Sequence, residues 1–313
     1  MKESSAKGKL KFIAIVGPTA SGKSSLALWL AQDFGGEIIS ADSMQVYRGL
    51  DIGTAKPSPE ERRRVFHHLV DILDPDQDYS AAIFRERADA ILEDLHRKHI
   101  SVFVVGGTGL YFKTLSRGLF RGPAANVELR LLLQKRAEAE GSESLHRELR
   151  QLDPEAALRI HPRDTLRIVR ALEVLTLSGR PISCFQREHG FREEKYEVLK
   201  IGLTFPRAEL YRRIEERMEH MLELGWVEEV RSLLSRGYRP VLKSLQSLGY
   251  KQIVSHLLRE QTREEAIGRI ARDTRRYAKR QLTWFKADPE IQWFCPGPES
   301  TLAIRQMVER FLE

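Results

Sequence analysis

The sequence is poor in cysteine and has no long apolar run. Cys184 and Cys295 are the only cysteines among 313 residues, and they form no C-x-x-C pair. A disulfide framework and a cysteine zinc site are therefore excluded. No apolar run approaches the roughly 20 residues of a membrane-spanning helix, and the opening MKESSAKGKLK is too charged for a signal peptide. We expect a cytoplasmic protein that has no membrane partner.

The chain also lacks strong charge bias, although its balance is basic. Lys and Arg number 51 against 44 Asp and Glu, which gives a formal net charge of +7. This balance is common in nucleic-acid binders and is also compatible with an enzyme that acts on small molecules. Hydrophobic residues make up 42% of the chain, enough for a sizeable core.

A phosphate-binding loop stands near the start of the chain. The stretch GPTASGKS fits the pattern G-x-x-x-x-G-K-[ST], with an apolar strand-like run before it and a helical pattern after it. Backbone N–H groups at the positive end of a helix can hold a polyphosphate. Lys23 adds a charge, and the Ser24 hydroxyl can bind Mg²⁺. The loop predicts a site for a phosphate-bearing ligand.

The first third of the chain alternates strand and helix patterns. Strands are predicted at 11–16, 37–41, 68–73 and 100–105, with an amphipathic helix at 79–98. This alternation predicts a parallel sheet flanked by helices, with ligands at the carboxyl edge of the sheet.

The pattern then changes to helices only, which predicts an inserted domain. Residues 123–197 are rich in Arg, Glu and Leu, and a further strand at 196–205 resumes the sheet. We therefore predict a phosphate-loop core at 8–122 and 198–313, with an all-helical insertion at 123–197. The residues after 205 are predicted to be helical, including a long helix that opens with the capping box Thr262-x-x-Glu265.

The loop lacks the second acid that usually holds Mg²⁺ in an NTP hydrolase. The strand at 100–105 runs into GGTG instead, where Thr108 either directs its hydroxyl at the phosphates or caps the next helix. Asp42, after the second strand, is either a base or hydrogen-bond acceptor near the loop or a solvated capping residue. Because small-molecule kinases also place an acid here, Asp42 does not separate kinases from other transferases.

Two basic stripes indicate a polyanion larger than a nucleotide. Arg163, Arg167 and Arg170 are spaced to share one helix face in the insertion, and a second stripe lies on the long helix at 267–286, where Ile270 and Tyr277 can face the core. Each stripe is also compatible with a solvated helix face, but two of them on a basic chain favour nucleic acid.

Between residues 12 and 286, a series of sequence blocks resembles, in the same order, those of the tRNA dimethylallyltransferases, the bacterial tRNA isopentenyltransferase family. The blocks are GPTASGKS, SADSMQVYRGLDIGTAKP, HHLVDILDP, YSAAIF, VGGTGLYFK, HPRDTLRIVRALEV, SLGYKQ and RYAKRQLTWF. The chain departs from the family at Asn126, where many members have Asp, and at Leu166, where some have Gln.

The resemblance implies transfer of a dimethylallyl group from dimethylallyl diphosphate to N6 of the adenosine at tRNA position 37, 3′ of the anticodon. It implies that Asp42 accepts or orients the amine, that Thr108 lies near the departing oxygen, and that Mg²⁺ binds at Ser24. The implied diphosphate-binding residues are Gly17, Pro18, Thr19, Ala20, Ser21, Gly22, Lys23, Ser24 and Arg217. The implied tRNA-binding residues are Asp42, Ser43, Met44, Gln45, Thr108, Arg130, Leu166, Arg167, Ile168, Val169 and Arg170.

Three alternatives stay open at this point. An adenylate isopentenyltransferase would act on free AMP or ADP and would not need the basic insertion. A small-molecule kinase would use the loop and Asp42 but would leave the insertion unexplained. A non-enzymatic nucleotide switch or RNA-binding module would give Asp42 and the GGTG turn no role. We expect a monomer that binds tRNA and dimethylallyl diphosphate.

Overall fold

Parallel strands form one sheet through the part of the chain that the computed structural model describes, residues 9–313. The strands are β1 Leu10–Val16, β2 Glu37–Ser40, β3 His67–His68, β4 Val102–Gly106, β5 Tyr196–Leu203 and β6 Gln292–Phe294. Within those residues the sheet has six strands in the order β3-β2-β4-β1-β5-β6, and every neighbouring pair is parallel. The predicted α/β fold, a phosphate-loop sheet flanked by helices, is confirmed.

Helices fill the remaining segments. They are α1 Lys23–Asp33, α2 Pro59–Arg64, α3 Ala81–Arg97, α4 Gly109–Arg117, α5 Val127–Glu140, α6 Ser142–Leu152, α7 Pro154–Arg159, α8 Thr165–Ser178, α9 Ile182–His189, α10 Arg207–Glu223, α11 Trp226–Ser235, α12 Tyr250–Leu257, α13 Arg263–Lys286 and α14 Pro298–Leu312. The capping box predicted at Thr262 and Glu265 is present at the start of α13. None of the helices between residues 9 and 313 combines the length and apolar character that membrane crossing requires.

The chain divides into two compact units. One comprises the described residues as far as Ser116 together with Glu194–Glu313, and the other comprises Arg117–Glu193. The second unit overlaps the segment predicted as an insertion, 123–197, but begins and ends a few residues earlier. It contains α5 to α9 around its own apolar core, in which Leu145, Leu149 and Ile168 are fully buried.

Helices cover both faces of the sheet, so its central strands are buried on both sides. On β1, Phe12 and Ala14 pack on the side of α3, whereas Ile13 and Ile15 pack on the side of α1 and α14. This explains why β1 is apolar without interruption from Phe12 to Val16 instead of alternating between apolar and polar residues. A third cluster joins α10 to α13 and includes Met218, Trp226, Tyr250 and Ile270.

Two sequence predictions about strands are wrong. The strand predicted at 68–73 ends at His68, because Leu69 (φ 62°) and Asp71 (φ 56°) adopt left-handed conformations that interrupt an extended chain. The region after 205 is not purely helical, since β6 pairs with β5 and extends the sheet.

Candidate active site

The phosphate loop connects β1 to α1 and depends on two glycines. Gly17 has φ 150°, and a Cβ there would lie 2.3 Å from the Leu203 carbonyl oxygen. Gly22 has φ 84° and immediately precedes the first residue of α1. Only glycine fits both positions without strain, so the loop turns sharply enough to point its N–H groups around the helix N-terminus.

Gln281 on α13 joins this loop to the turn after β4. Its Oε1 accepts a hydrogen bond from the Thr19 N–H at 2.9 Å, and its Nε2 donates to the Gly107 carbonyl oxygen at 2.9 Å. The side chain is buried, so both bonds are shielded from water. Sequence analysis did not single out Gln281; its only signal was a polar residue on the inward face of α13.

A cavity of about 830 Å³ opens beside the loop. Thr19 to Ser25 form one wall, and Asp42 to Gln45 form another after β2. Gly106 and Gly107 supply the wall after β4, and Thr108 comes one residue later, where its N–H donates to the Ala41 carbonyl oxygen at 3.4 Å. The carboxyl ends of β1, β2 and β4 therefore meet at one site, as expected for a parallel sheet.

Lys23 and Arg217 place two positive charges in this cavity, and Asp42 supplies a negative one. Burial and the Arg217 charge lower the pKa of Lys23 to about 8, against the opposing effect of Asp42. Burial also lowers the pKa of Arg217, an effect that Asp42 opposes. Because the Arg217 charge disfavours the ammonium form of Lys23, a polyanion bound in the cavity would relieve this repulsion.

Asp42 is held in a defined orientation. Its Oδ1 accepts hydrogen bonds from the N–H groups of Met44 (2.8 Å) and Gln45 (3.3 Å). This turn uses one carboxylate oxygen, while the side chain still lines the cavity. The arrangement leaves Oδ2 as the oxygen that a ligand can approach.

Apolar side chains line the cavity on the side of α10 to α13. Met218, Met221, Trp226 and Ile270 belong to the core cluster there and also face the cavity. Tyr277, which sequence analysis assigned to the core, is a cavity residue, and burial together with the Asp42 charge raises its pKa to about 12. The site thus combines a cationic end with an apolar wall.

In the second unit, Arg130 and Arg170 converge on a buried carboxylate, Glu173. Arg130 donates through Nε at 2.8 Å and Nη2 at 3.0 Å, and Arg170 donates through Nη1 at 2.6 Å. Burial acts to raise the pKa of Glu173, but the hydrogen bonds from Arg130 and Arg170 outweigh it and leave the pKa below its usual value. About a third of each arginine side chain is exposed. Each arginine can therefore stabilise Glu173 and still be reached from solvent.

The predicted tRNA-binding run on α8 divides into buried and exposed positions. Ile168 and Val169 lie in the core of the unit, so their side chains are withdrawn from any RNA surface. Leu166 is 75% exposed, and Arg167 is exposed with Asp164 at 3.4 Å. The predicted stripe is wrong at Arg163, which precedes α8 and pairs with Glu143, because the helix begins only at Thr165.

The basic face of α13 is exposed. Arg269, Arg272 and Arg276 alternate with buried positions such as Ile270, as the helical spacing predicted. Among residues 9–313, no group of three or more His, Cys, Asp or Glu side chains could hold a metal ion. Part of the positive charge on α13 is balanced within the helix, because Asp273 lies 3.1 Å from Arg272 and 3.8 Å from Arg276.

Two family models match the chain. The model described as IPP transferase matches residues 45–288, and the one described as isopentenyl transferase matches residues 10–71. The chain belongs to the IPP transferase family.

Relatives with similar sequences cover almost the whole of this IPP transferase. A protein of Geotalea uraniireducens named tRNA dimethylallyltransferase 2 is 55% identical over 303 residues, which cover 97% of each chain. A tRNA dimethylallyltransferase of Geobacter metallireducens is 54% identical over 285 residues, covering 91% of this chain and 92% of the relative.

Solved structures support the same assignment. A full-length tRNA isopentenylpyrophosphate transferase from Bacillus halodurans superimposes with a TM-score of 0.72 at 40% identity, covering 97% of both chains. A eukaryotic dimethylallyltransferase acting on tRNA superimposes with a TM-score of 0.77 at 28% identity, covering 96% of this chain and 77% of that one.

Proposed function

We propose that this protein transfers a dimethylallyl group from dimethylallyl diphosphate to N6 of the adenosine at tRNA position 37. The observation that carries the proposal is the cavity lined by Lys23, Arg217 and Asp42, in a chain whose relatives are named tRNA dimethylallyltransferases. The products are N6-dimethylallyladenosine and diphosphate. We further propose a cytoplasmic monomer, as expected from the sequence.

The cationic end of the cavity would hold the diphosphate as a leaving group. The amine nitrogen forms a bond to the allylic carbon while the bond from that carbon to the bridging oxygen breaks, and diphosphate takes the electron pair. Negative charge therefore grows on the bridging oxygen, where loop N–H groups, Lys23 and Arg217 can stabilise it. We assign Thr108 to this departing oxygen as a proposal, on the strength of its position after Gly107.

Asp42 would accept or orient the proton that the amine loses. The exocyclic amine becomes positively charged when it attacks, and it must lose a proton to give the neutral product. Because Oδ1 is engaged by Met44 and Gln45, Oδ2 is the oxygen that would accept or orient the N6–H. The apolar wall suits the dimethylallyl tail and keeps water away from the reactive carbon.

Mg²⁺ fits the residues of the loop. Ser24 lies at the start of α1 with an exposed hydroxyl on the cavity wall, and Mg²⁺ commonly uses one or two protein ligands plus phosphate oxygens and waters. Ser24 would hold the ion against the diphosphate. When bound, the ion would neutralise charge on the leaving group.

The alternatives account for less of the chain. A phosphate-loop kinase would need to place a γ-phosphate and its metal, and the strand end that often supplies the second acid carries Gly106 and Gly107 instead. An adenylate isopentenyltransferase would not use the exposed arginines of α8 and α13. Transfer to tRNA gives each of these features a role.

The test is an incubation with radiolabelled dimethylallyl diphosphate and either unmodified tRNA or AMP, without ATP. We expect label in tRNA only, and mass spectrometry of nuclease digests should place it at position 37. A tRNA with guanosine at that position is the matched control and should stay unlabelled. Labelling of AMP would overturn the proposal, as would phosphorylation of an acceptor in a separate incubation that contains labelled ATP.

A further inference from the structure

Glu229, on α11, collects hydrogen bonds from one short turn of the chain. Its Oε2 accepts from the N–H groups of Asp51 (2.9 Å) and Ile52 (2.7 Å), and its Oε1 accepts from the N–H of Gly53 (3.3 Å). Tyr250 also donates its hydroxyl to Oε1 at 2.6 Å. One carboxylate therefore binds three consecutive backbone donors of a turn that lies far away in sequence.

The same helix holds this turn by packing. Trp226, one helical turn before Glu229, lies against Gly53 so closely that a Cβ there would be 2.0 Å from its Nε1. A Cβ at Gly249 would likewise lie 2.2 Å from the six-membered ring of the same indole. Burial and the Glu229 charge raise the pKa of Tyr250, so its hydroxyl stays protonated and continues to donate. The 51–53 turn is thus fixed by shape and by charge.

The turn leads directly to the residues that orient Gln45. The Gln45 side chain donates through Nε2 to the carbonyl oxygens of Thr54 and Ala55, both at 3.2 Å. Its Oε1 accepts from the Ser40 hydroxyl at 2.9 Å. These three bonds define the orientation of the amide, and Gln45 lines the cavity beside Asp42.

The need to satisfy the N–H groups of the turn does not by itself explain why the Glu229 carboxylate lies there. Asp51 is exposed, so water could satisfy its N–H without help from the protein. A carboxylate with several N–H donors forms strong, directional bonds and removes the freedom of the turn. Such rigidity matters most where a neighbouring side chain must meet a substrate with small positional error.

We propose that Glu229 is a positioning residue for transfer to tRNA, which holds the 51–55 turn so that Gln45 stays aligned at the adenosine side of the cavity. The inference rests on the proposed function, because Gln45 matters for transfer only if adenosine enters there. Glu229 itself acts through the turn and does not touch the reacting atoms.

The first test compares Glu229→Gln with Glu228→Gln. The Glu229→Gln substitution keeps the size of the side chain but turns an NH₂ group toward backbone donors. Glu228→Gln is the control, because Glu228 is an exposed neighbour that pairs with Arg231 at 3.4 Å. We expect Glu229→Gln to lower kcat/KM for tRNA about 10- to 100-fold, the size of effect that a misplacement near 1 Å produces. The KM for dimethylallyl diphosphate should not change, because the phosphate loop is held elsewhere, and Glu228→Gln should match the parent.

The second test is a double-mutant cycle with Gln45→Ala. If Glu229 acts through Gln45, adding Glu229→Gln to Gln45→Ala should not reduce kcat/KM for tRNA any further. Independent, multiplied losses would overturn the proposal, as would a raised KM for dimethylallyl diphosphate in Glu229→Gln.

Hydrogen exchange separates this inference from the proposed function. Glu229→Gln should accelerate exchange of the amides at 51–53, even in a protein that fails to modify tRNA. Failure of the parent to label tRNA would refute the proposed function, whereas normal labelling with an unchanged Glu229→Gln variant would refute only the positioning role. If Glu229→Gln folds poorly, Glu229→Asp can replace it, because aspartate keeps the charge on a shorter side chain. Glu229→Asp should lose part of the kcat/KM for tRNA, and full activity of this variant would count against the proposal.

Discussion

Binding of dimethylallyl diphosphate should depend on pH through Lys23. In the free protein, burial and the nearby Arg217 charge lower the pKa of this lysine from its ordinary 10.5 to about 8. A bound diphosphate favours the ammonium form and raises the pKa again. The ligand therefore binds tightly only to the protonated fraction, which is nearly complete below pH 7 and falls as the pH rises through 8.

The magnitude follows from that fraction. With a pKa of about 8, roughly ten elevenths of the lysine is protonated at pH 7, half at pH 8 and one eleventh at pH 9. The affinity should therefore fall about tenfold between pH 7 and pH 9, and binding at pH 8 should take up about half a proton. The phosphate groups do not contribute in this range, because their last pKa lies near 6.

Isothermal titration calorimetry without tRNA can measure both quantities. Affinity is recorded from pH 7 to pH 9, and proton uptake is obtained at pH 8 from two buffers with different ionisation enthalpies. Lys23→Arg is the matched control, since a guanidinium stays charged throughout and should give a flat profile. A flat profile for the parent, or the same decline in Lys23→Arg, would refute the role assigned to Lys23.

Three further predictions concern Asp42 and the second unit. Asp42→Asn keeps an oxygen for the Met44 and Gln45 N–H groups, so kcat on tRNA should fall by about 10²- to 10⁴-fold while calorimetry shows normal diphosphate binding; near-normal turnover would contradict the assigned role. Arg167→Ala, at an exposed position, should reduce the salt dependence of tRNA binding by up to about one unit of slope without loss of stability, and an unchanged slope would mean that Arg167 meets no phosphate. Glu173→Ala leaves Arg130 and Arg170 without their buried partner and should destabilise the second unit by about 3 kcal/mol in urea unfolding; a change below about 1 kcal/mol would show that the cluster is well solvated.

Local patterns predicted much of the fold and the conformation of the phosphate loop. The loop at 17–24 combines a strand, a glycine turn and a helix start within one short segment, so its conformation follows from neighbouring residues. The same holds for the capping box of α13, which is complete within four residues. The prediction of a strand at 68–73 was wrong for a related reason. The spacing of apolar residues does not reveal the left-handed conformations of Leu69 and Asp71.

Local sequence patterns were sufficient to predict the parallel sheet, the phosphate loop and the helical character of the segment between β4 and β5. The family resemblance assigned Asp42 and Arg217 to the site. The folded chain alone shows which side chains meet across long separations. Gln281 reaches Thr19, Glu229 reaches the 51–53 turn, and Glu173 binds Arg130. Periodicity along one helix shows which face is buried, but it carries no information about the partner that the face meets. Partners are decided by the packing of whole elements, so the pairing of Glu173 on α8 with Arg130 on α5, 43 residues away, could not be predicted from either helix alone.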